Sequence, residues 1–370
     1  MYQTIRQHSK KLIIQKKKKY CQIGLIILFE RSVLVDSQHL RLPNGIATTS
    51  DGSVFVANGG KDQVCKFTQD GILDMKIGGL GTGRYKLKEP VGTFASPDDK
   101  IFVADWYNHR VVIYDSGLNY ISEHGHYGTV GASSIFKKSK SILKFHHYFS
   151  RGGSYFRHWN PDIRDRDRDS LNLSERGILF LTGMYYWYVK RNKSVIDSIL
   201  DLHKSQDVFN KPNGVAFMNN KIYITQKNNC CISVYSHEED SLYFLKNIQH
   251  PDDRFGRLGD IHGTSYGGCL YVCDPQNGIW TLNPESKKCK LQLSAESLDI
   301  ANFFPFSCTE FSDNLLAVCA INYFYIIDIY EERILFQEET SQCHGVTICP
   351  SGDKLYVCER GCDRILQITI

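Results

Sequence analysis

No stretch of this sequence is apolar for long enough to cross a bilayer as a helix. The longest runs, GLIILF near the amino terminus and GILFLTGMYYWYV further on, fall short of the 18 or so residues a span requires. The basic start KKLIIQKKKKYCQIGLIILFERS also lacks the small-residue site at which a secretory leader is cut. The motifs of several enzyme classes are missing as well: there is no GxSxG, no HExxH and no P-loop, and GGLGTG at residues 78–83 has the wrong spacing for a phosphate loop and no helix after it. The 13 cysteines form no CxxC…CxxC pair, and the vicinal Cys230-Cys231 and the CxxxC spacings 269/273 and 358/362 fit zinc poorly. The expectation is a soluble, intracellular globular chain without a transmembrane span.

What is present is an uneven charge. The net charge is +4, but residues 1–41 hold 9 Lys+Arg against 2 Asp+Glu, residues 129–211 hold 15 against 8, and the remainder holds 20 against 30. The body is therefore acidic and the basic charge is confined to two segments, which argues against one continuous cationic surface for nucleic acid.

A repeat accounts for most of the body. PNGIATTSDGSVFVAN from Pro43, PVGTFASPDDKIFVAD from Pro90, PNGVAFMNNKIYITQ from Pro212, IHGTSYGGCLYVCD from Ile261, FSCTEFSDNLLAVCA from Phe306 and CHGVTICPSGDKLYVCE from Cys343 are six versions of one unit. Each is followed by a turn and another apolar run, such as VCKFT or VVIYD. With Gly45, Gly92, Gly214, Gly263, Cys308 and Gly345 taken as equivalent, the spacings are 47, 122, 49, 45 and 37 residues. Short β-rich runs broken by Gly, Asp, Asn and Ser at a period of roughly 40 to 50 residues indicate four-stranded propeller blades. Cys273, Cys319 and Cys358 occupy a strand position held by Ala57 and Ala104 in other units, as expected of small buried hydrophobes.

Six units predict an all-β, six-bladed propeller of four-stranded antiparallel blades. The sixth unit stops after three strands at Ile370, and an open ring would expose a strand edge. The β-rich run GLIILFERSVLV, residues 24–35, is expected to close it. The expected organisation is a basic tail over 1–23, propeller over 24–128 (closing strand, blades one and two), an insertion over 129–208, and propeller over 209–370 (blades three to six). The insertion splits the loop between blades two and three. It contains alternating charge in IRDRDRDS, helical spacing in SVIDSILDLHKS and an aromatic-basic mix in FHHYFSRGGSYFRHWN, and is expected to be a partly ordered lid or docking arm.

VADWYNHRVVIYD, preceded by a PxG turn and the loop GGLGTGRYKLKEP, resembles the NHL repeat. The resemblance covers roughly residues 42–128 and 212–370 and implies a six-bladed β-propeller. In the knot WYNHR, the residues Asp105, Asn108, His109 and Arg110 read as fold residues: Asp105 accepts N–H groups of the loop, and Arg110 covers the neighbouring blade with its stem.

Candidate chemistry lies in the residue before each unit's Gly, at the start of the inner strand and near the channel mouth: Asn44, Val91, Asn213, His262, Ser307 and His344. Asn carbonyls suit Ca²⁺ and imidazoles suit Zn²⁺. Asn44, Asn213, His262 and His344 are the candidate metal ligands, so the expected cofactor is none, or a calcium or zinc ion in the central channel. PNGIATTSDG and PNGVAF are similar to the gluconolactonase and senescence-marker-protein family, which implies that Asn44 and Asn213 match its Ca²⁺-binding asparagines; its acidic ligands have no evident counterpart. His262 and His344 are similarly placed to zinc ligands of the peptide-amidating lyases.

The leading expectation is a non-catalytic binding or scaffold module that contacts a protein partner through its loop face and insertion, as a monomer. The chain resembles the NHL modules of tripartite-motif proteins, some of which bind RNA, so RNA held by the basic insertion and tail is a further expected partner. The alternative is a metal-dependent lyase or lactonase-type hydrolase with its site at the channel mouth.

Overall fold

A computed structural model of the 370-residue chain describes residues 11–15, 26–127, 208–238, 240–264, 268–312 and 314–370. The expected insertion lies outside the described residues, apart from Val208. In chain order it falls between the outer strand of blade two and the inner strand of blade three.

Six antiparallel blades form the propeller. From inner to outer strand, blade one is Pro43–Thr48, Val54–Asn58, Gln63–Phe67 and Leu73–Gly78; blade two is Pro90–Ala95, Ile101–Asp105, Arg110–Tyr114 and Tyr120–His124. Blade three is Pro212–Met218, Lys221–Gln226, Cys231–Glu238 and Ser241–Ile248; blade four is Ile261–Gly263, Leu270–Asp274, Gly278–Leu282 and Cys289–Leu293. Blade five is Pro305–Ser312, Leu315–Ala320, Tyr323–Asp328 and Arg333–Glu339. Blade six takes Cys343–Ile348, Lys354–Glu359 and Arg364–Thr369 from the carboxy-terminal end and Ile26–Val35 as its fourth strand.

The closing strand pairs antiparallel with Arg364–Thr369, from Glu30↔Thr369 to Val35↔Ile365. Phe29 is buried with Phe336, Leu366 and Ile368, its ring centroid 5.0 Å from that of Phe336. Arg31 forms an ion pair with Glu338 of blade five. The expected basic tail departs from a simple tail at Lys11–Gln15, which adds a fifth strand outside Ile26–Val35.

Each neighbouring pair of blades shares one apolar cluster, so the core is divided among the blade interfaces. Phe55, Val64, Ile101, Val103, Val112 and Tyr114 fill the first, and Ala317, Phe324, Ile326, Val346, Leu355 and Val357 belong to the one between blades five and six. Both faces of the second strands are buried, which is why these runs read as continuous β-branched and aromatic sequence. The PxG glycine has a steric reason. A Cβ on Gly92 would run into the Asn213 carbonyl oxygen of the next blade, and one on Gly345 into that of Asn44.

The polar knot is a clamp repeated around the ring. The second strand of blade two ends in Asp105, whose Oδ1 accepts the Lys88 N–H at 2.7 Å from the loop that enters its own blade. Asn58 accepts Arg41 N–H at 2.7 Å, Gln226 accepts Asn210 N–H at 3.0 Å and Glu359 accepts Ser341 N–H at 2.9 Å in the same way. Four residues further on, a left-handed residue grips the next blade: Asp62 accepts Glu89 N–H at 2.7 Å, Asp363 accepts Leu42 N–H at 2.6 Å, and His109 Nδ1 accepts Lys211 N–H at 3.2 Å. Arg110 departs from the expected packing role. Its buried guanidinium donates to Asp105 at 2.9 Å, Glu123 at 2.6 Å and the carbonyls of Thr82, Gly83 and Lys86, and so fixes the glycine-rich loop.

Cys273 and Cys358 are buried thiols, as expected. Cys319 differs: it forms a disulfide with Cys343, joining blade five to blade six. No helix among the described residues is long and apolar enough to cross a membrane.

Candidate functional site at the channel mouth

Up-and-down blades place two kinds of connection on opposite faces. The loops between second and third strands, together with those joining blade to blade, form one face; the tight hairpins form the other. The hairpin face is rich in Asp51, Asp70, Asp98, Asp99, Asp115 and Asp353. The loop face carries Lys61, Lys88, Lys211, Lys227, Arg257 and Arg360, interspersed with Asp62 and Glu89.

On the loop face the inner strands surround a cavity of about 260 Å³. Asn44, Val91, Asn213, Asp260, Phe306 and His344 contribute from the inner-strand ends, and Trp106, Lys227 and Arg360 from the loops above. Three of the four expected ligands, Asn44, Asn213 and His344, are thus brought together. His262 is not among the lining residues, and Asp260 stands in its place.

The reason is where the motif-like IHG falls along the strand. In blades one, two and three the inner strand bulges just after its proline, between Pro43 and Ile46 or their equivalents. In blade four the Gly259 N–H bonds to the Cys273 carbonyl and the Cys273 N–H to the Asp260 carbonyl before Ile261 pairs with Val272, so Asp260 reaches the lining and His262 lies beyond it, opposite Tyr271. In blade five Phe306, not Ser307, lines the cavity. The sequence aligned IHG with PNG because the two look alike.

Around the floor, Asn44 Nδ2 donates to the Pro90 carbonyl and Asn213 Nδ2 to the Leu258 carbonyl, each at 3.0 Å. Their Oδ1 atoms accept no hydrogen bond from the described residues. Asp260 accepts from Ser307 Oγ at 2.6 Å and from the Ile261 N–H at 2.9 Å. Burial nevertheless raises its carboxyl to about 6. His344 lies flat against Phe306, with ring centroids 4.3 Å apart and planes 17° apart. Burial, followed by the charges of Arg360 and Lys227, pushes it down to about 3, and burial takes His262 to about 4. Both imidazoles are neutral at pH 7.

The rim is cationic and aromatic. The ammonium of Lys211 sits 4.0 Å from the Trp106 ring centroid and 4.8 Å from that of Tyr107; Lys227 sits 5.0 Å from Trp106. Lys227 is pushed below the usual lysine range by burial and then by Arg257 and Lys211. Arg360 approaches Glu89 at 3.8 Å, while its buried Nε and the buried Nε1 of Trp106 have no hydrogen-bond partner among the described residues. Trp106, Lys227 and Arg360 hold one repeat position, directly after Asp105, Gln226 and Glu359, so a column of the repeat could have identified them. Among the described residues no cluster of three or more His, Cys, Asp or Glu side chains is arranged to hold a metal.

The NHL repeat family model matches residues 87–114. No curated protein matches the chain significantly. Similar solved structures include a streptogramin B lyase, at 12% identity and TM-score 0.52, with 92% of this chain and 97% of that one covered. A catalytically inactive variant of virginiamycin B lyase from Staphylococcus aureus with quinupristin is 12% identical, with TM-score 0.53 and 92% and 99% coverage. A gluconolactonase from Xanthomonas campestris is 9% identical, with TM-score 0.55 and 92% and 89% coverage. At such identities the likeness is one of fold. The chain is an NHL-repeat-containing six-bladed β-propeller.

Proposed function

We propose that this chain is a non-catalytic recognition module that engages a protein partner through the loop face around the channel mouth. The observation that carries this reading is the contrast between the two faces. Each face opens on a cavity, but the loop face rings its cavity with lysines stacked on Trp106 and the exposed Tyr107, whereas the other is built of short acidic hairpins. Aromatic and cationic side chains around a concavity are the groups that dominate interface energetics. The test is affinity capture with the purified chain, a Tyr107→Ala/Lys211→Gln variant and an opposite-face Lys287→Glu/Lys288→Glu variant. Binding lost in the first variant and kept in the second supports the reading; equal capture by all three overturns it. A captured set that vanishes after ribonuclease treatment would point to RNA instead of protein.

A second reading rests on Asp260. With Asn44 Oδ1 and Asn213 Oδ1 it brings three hard oxygens to one cavity, a partial donor set for a calcium ion. His344 would then face the bound group, as a lactonase-type hydrolase or lyase requires of a neutral base. Elemental analysis of wild type and Asp260→Asn checks it: about one equivalent of calcium lost in the variant would favour this reading.

A further inference from the structure

The cavity and its rim hold more positive charge and more hydrogen-bond donors than the protein itself satisfies. Lys211 and Lys227 share the Trp106 ring, and neither ammonium has a carboxylate partner among the described residues. Arg257 adds to the field on Lys227, and Arg360 completes the group. The acidic residues lining the cavity are Glu89, at 3.8 Å from Arg360, and Asp260 on the floor. Like charges held together in a partly buried site are unfavourable unless an anion neutralises them.

We propose that the channel mouth is an oxyanion site that takes the phosphate of a phosphate monoester on Lys227, Arg360 and Trp106. Lys227 and Arg360 provide charge-assisted donors, and the Trp106 Nε1 and Arg360 Nε hydrogens are buried donors lacking an acceptor among the described residues. The residual charge of the group suits a dianion better than a single carboxylate. Lys227 and Arg360 line one cavity, with Lys211 and Arg257 beside Lys227, a compact group that favours one anion over the tracked backbone of a nucleic acid. The stacked Phe306–His344 pair and the free Oδ1 atoms of Asn44 and Asn213 would line the rest of the ligand. This inference rests on the loop face being the recognition surface and specifies what enters it.

Two sources share this chemistry, a small free phosphate compound and a phosphorylated side chain of a partner. Isothermal titration of the full chain, with inorganic phosphate, a phosphoserine peptide and its unphosphorylated form, separates them. Peptide binding at least about tenfold tighter than phosphate, and absent without the phosphate, indicates a partner's side chain; comparable affinities indicate a small ligand. In either case Lys227→Met should weaken binding at least about tenfold, and raised salt should weaken it in the wild type. The Lys227→Met protein should melt no lower than wild type, since an unpaired ammonium has been removed, which separates lost binding from lost fold. No binding of phosphate or phosphopeptide at millimolar concentration overturns the inference, as does full affinity in a Lys227→Met/Arg360→Gln double variant. Binding abolished by chelator overturns it too, because the anion would then be held by a metal. If face-dependent capture persists while no oxyanion binds, only this inference falls and the recognition reading stands.

Discussion

His344 and Asp260 have opposite effects on stability as pH changes. The folded His344 titrates at about 3, well below its ordinary 6.5, so below pH 6.5 the unfolded chain takes up a proton that the folded chain refuses. That stability is complete above pH 6.5 and is lost as pH falls towards 3. Asp260 titrates at about 6 when folded, above its ordinary 3.8; its contribution is complete below pH 3.8 and is lost as pH rises through 6. His344→Phe should therefore remove up to about 2 kcal/mol of acid destabilisation between pH 7 and pH 5, and Asp260→Asn should steepen the remaining loss. Thermal melts across that range check both signs. At the same scale, Asp105→Ala removes one of the two carboxylates that hold Arg110 and leaves the Lys88 N–H without its acceptor, and should destabilise by roughly 1–3 kcal/mol, read from chemical denaturation. That Asp105 belongs to the fold was legible in the sequence because the residue recurs as Asn58, Asp274 and Glu359 at one strand end. The partners of Arg110 were not legible, since they are main-chain carbonyls 24 to 28 residues away whose position depends on a loop conformation.

At the scale of strands and blades, the PxG glycine is the tightest constraint. Gly92→Ala places a Cβ against the backbone of blade three, where no rotamer change can relieve it, and should lower stability by about 1–3 kcal/mol or shift the inner strands apart. Gly352 offers the contrast: it sits at φ +76 with nothing within 4 Å of an added Cβ, so Gly352→Ala should show only the smaller backbone strain. Paired melting curves distinguish the two. The same element explains what the sequence conveyed and what it hid. Four blades declare themselves because a proline or cysteine, a glycine and an alternating run recur in order. Blade four hides its register because IHG imitates the motif two residues late. Asp260, the one acidic group on the floor, was missed because it stands just before that false match. The rim cations were missed differently: Lys227 and Arg360 lie 133 residues apart and meet only when the ring closes.

The ring itself depends on a strand brought from the far end of the chain. Arg364–Thr369 has Ile26–Val35 as its only outer neighbour among the described residues, and that strand buries Phe29 against blade-five and blade-six side chains. Without it, blade six presents an unpaired edge flanked by Phe336, Leu366 and Ile368, the combination that recruits another chain. Deleting residues 1–35 should therefore give a lower melting temperature and associated species by size exclusion with light scattering, relative to the full chain. A synthetic peptide covering residues 26–35 should reverse the association by re-forming the ladder from Glu30↔Thr369 to Val35↔Ile365. A peptide with Phe29→Asp should fail, because its backbone can still pair but its charge must enter an apolar pocket. A truncated chain that elutes and melts like the full one would mean that the blade interfaces hold the ring without this strand. The channel mouth would then owe its geometry to the blade interfaces alone.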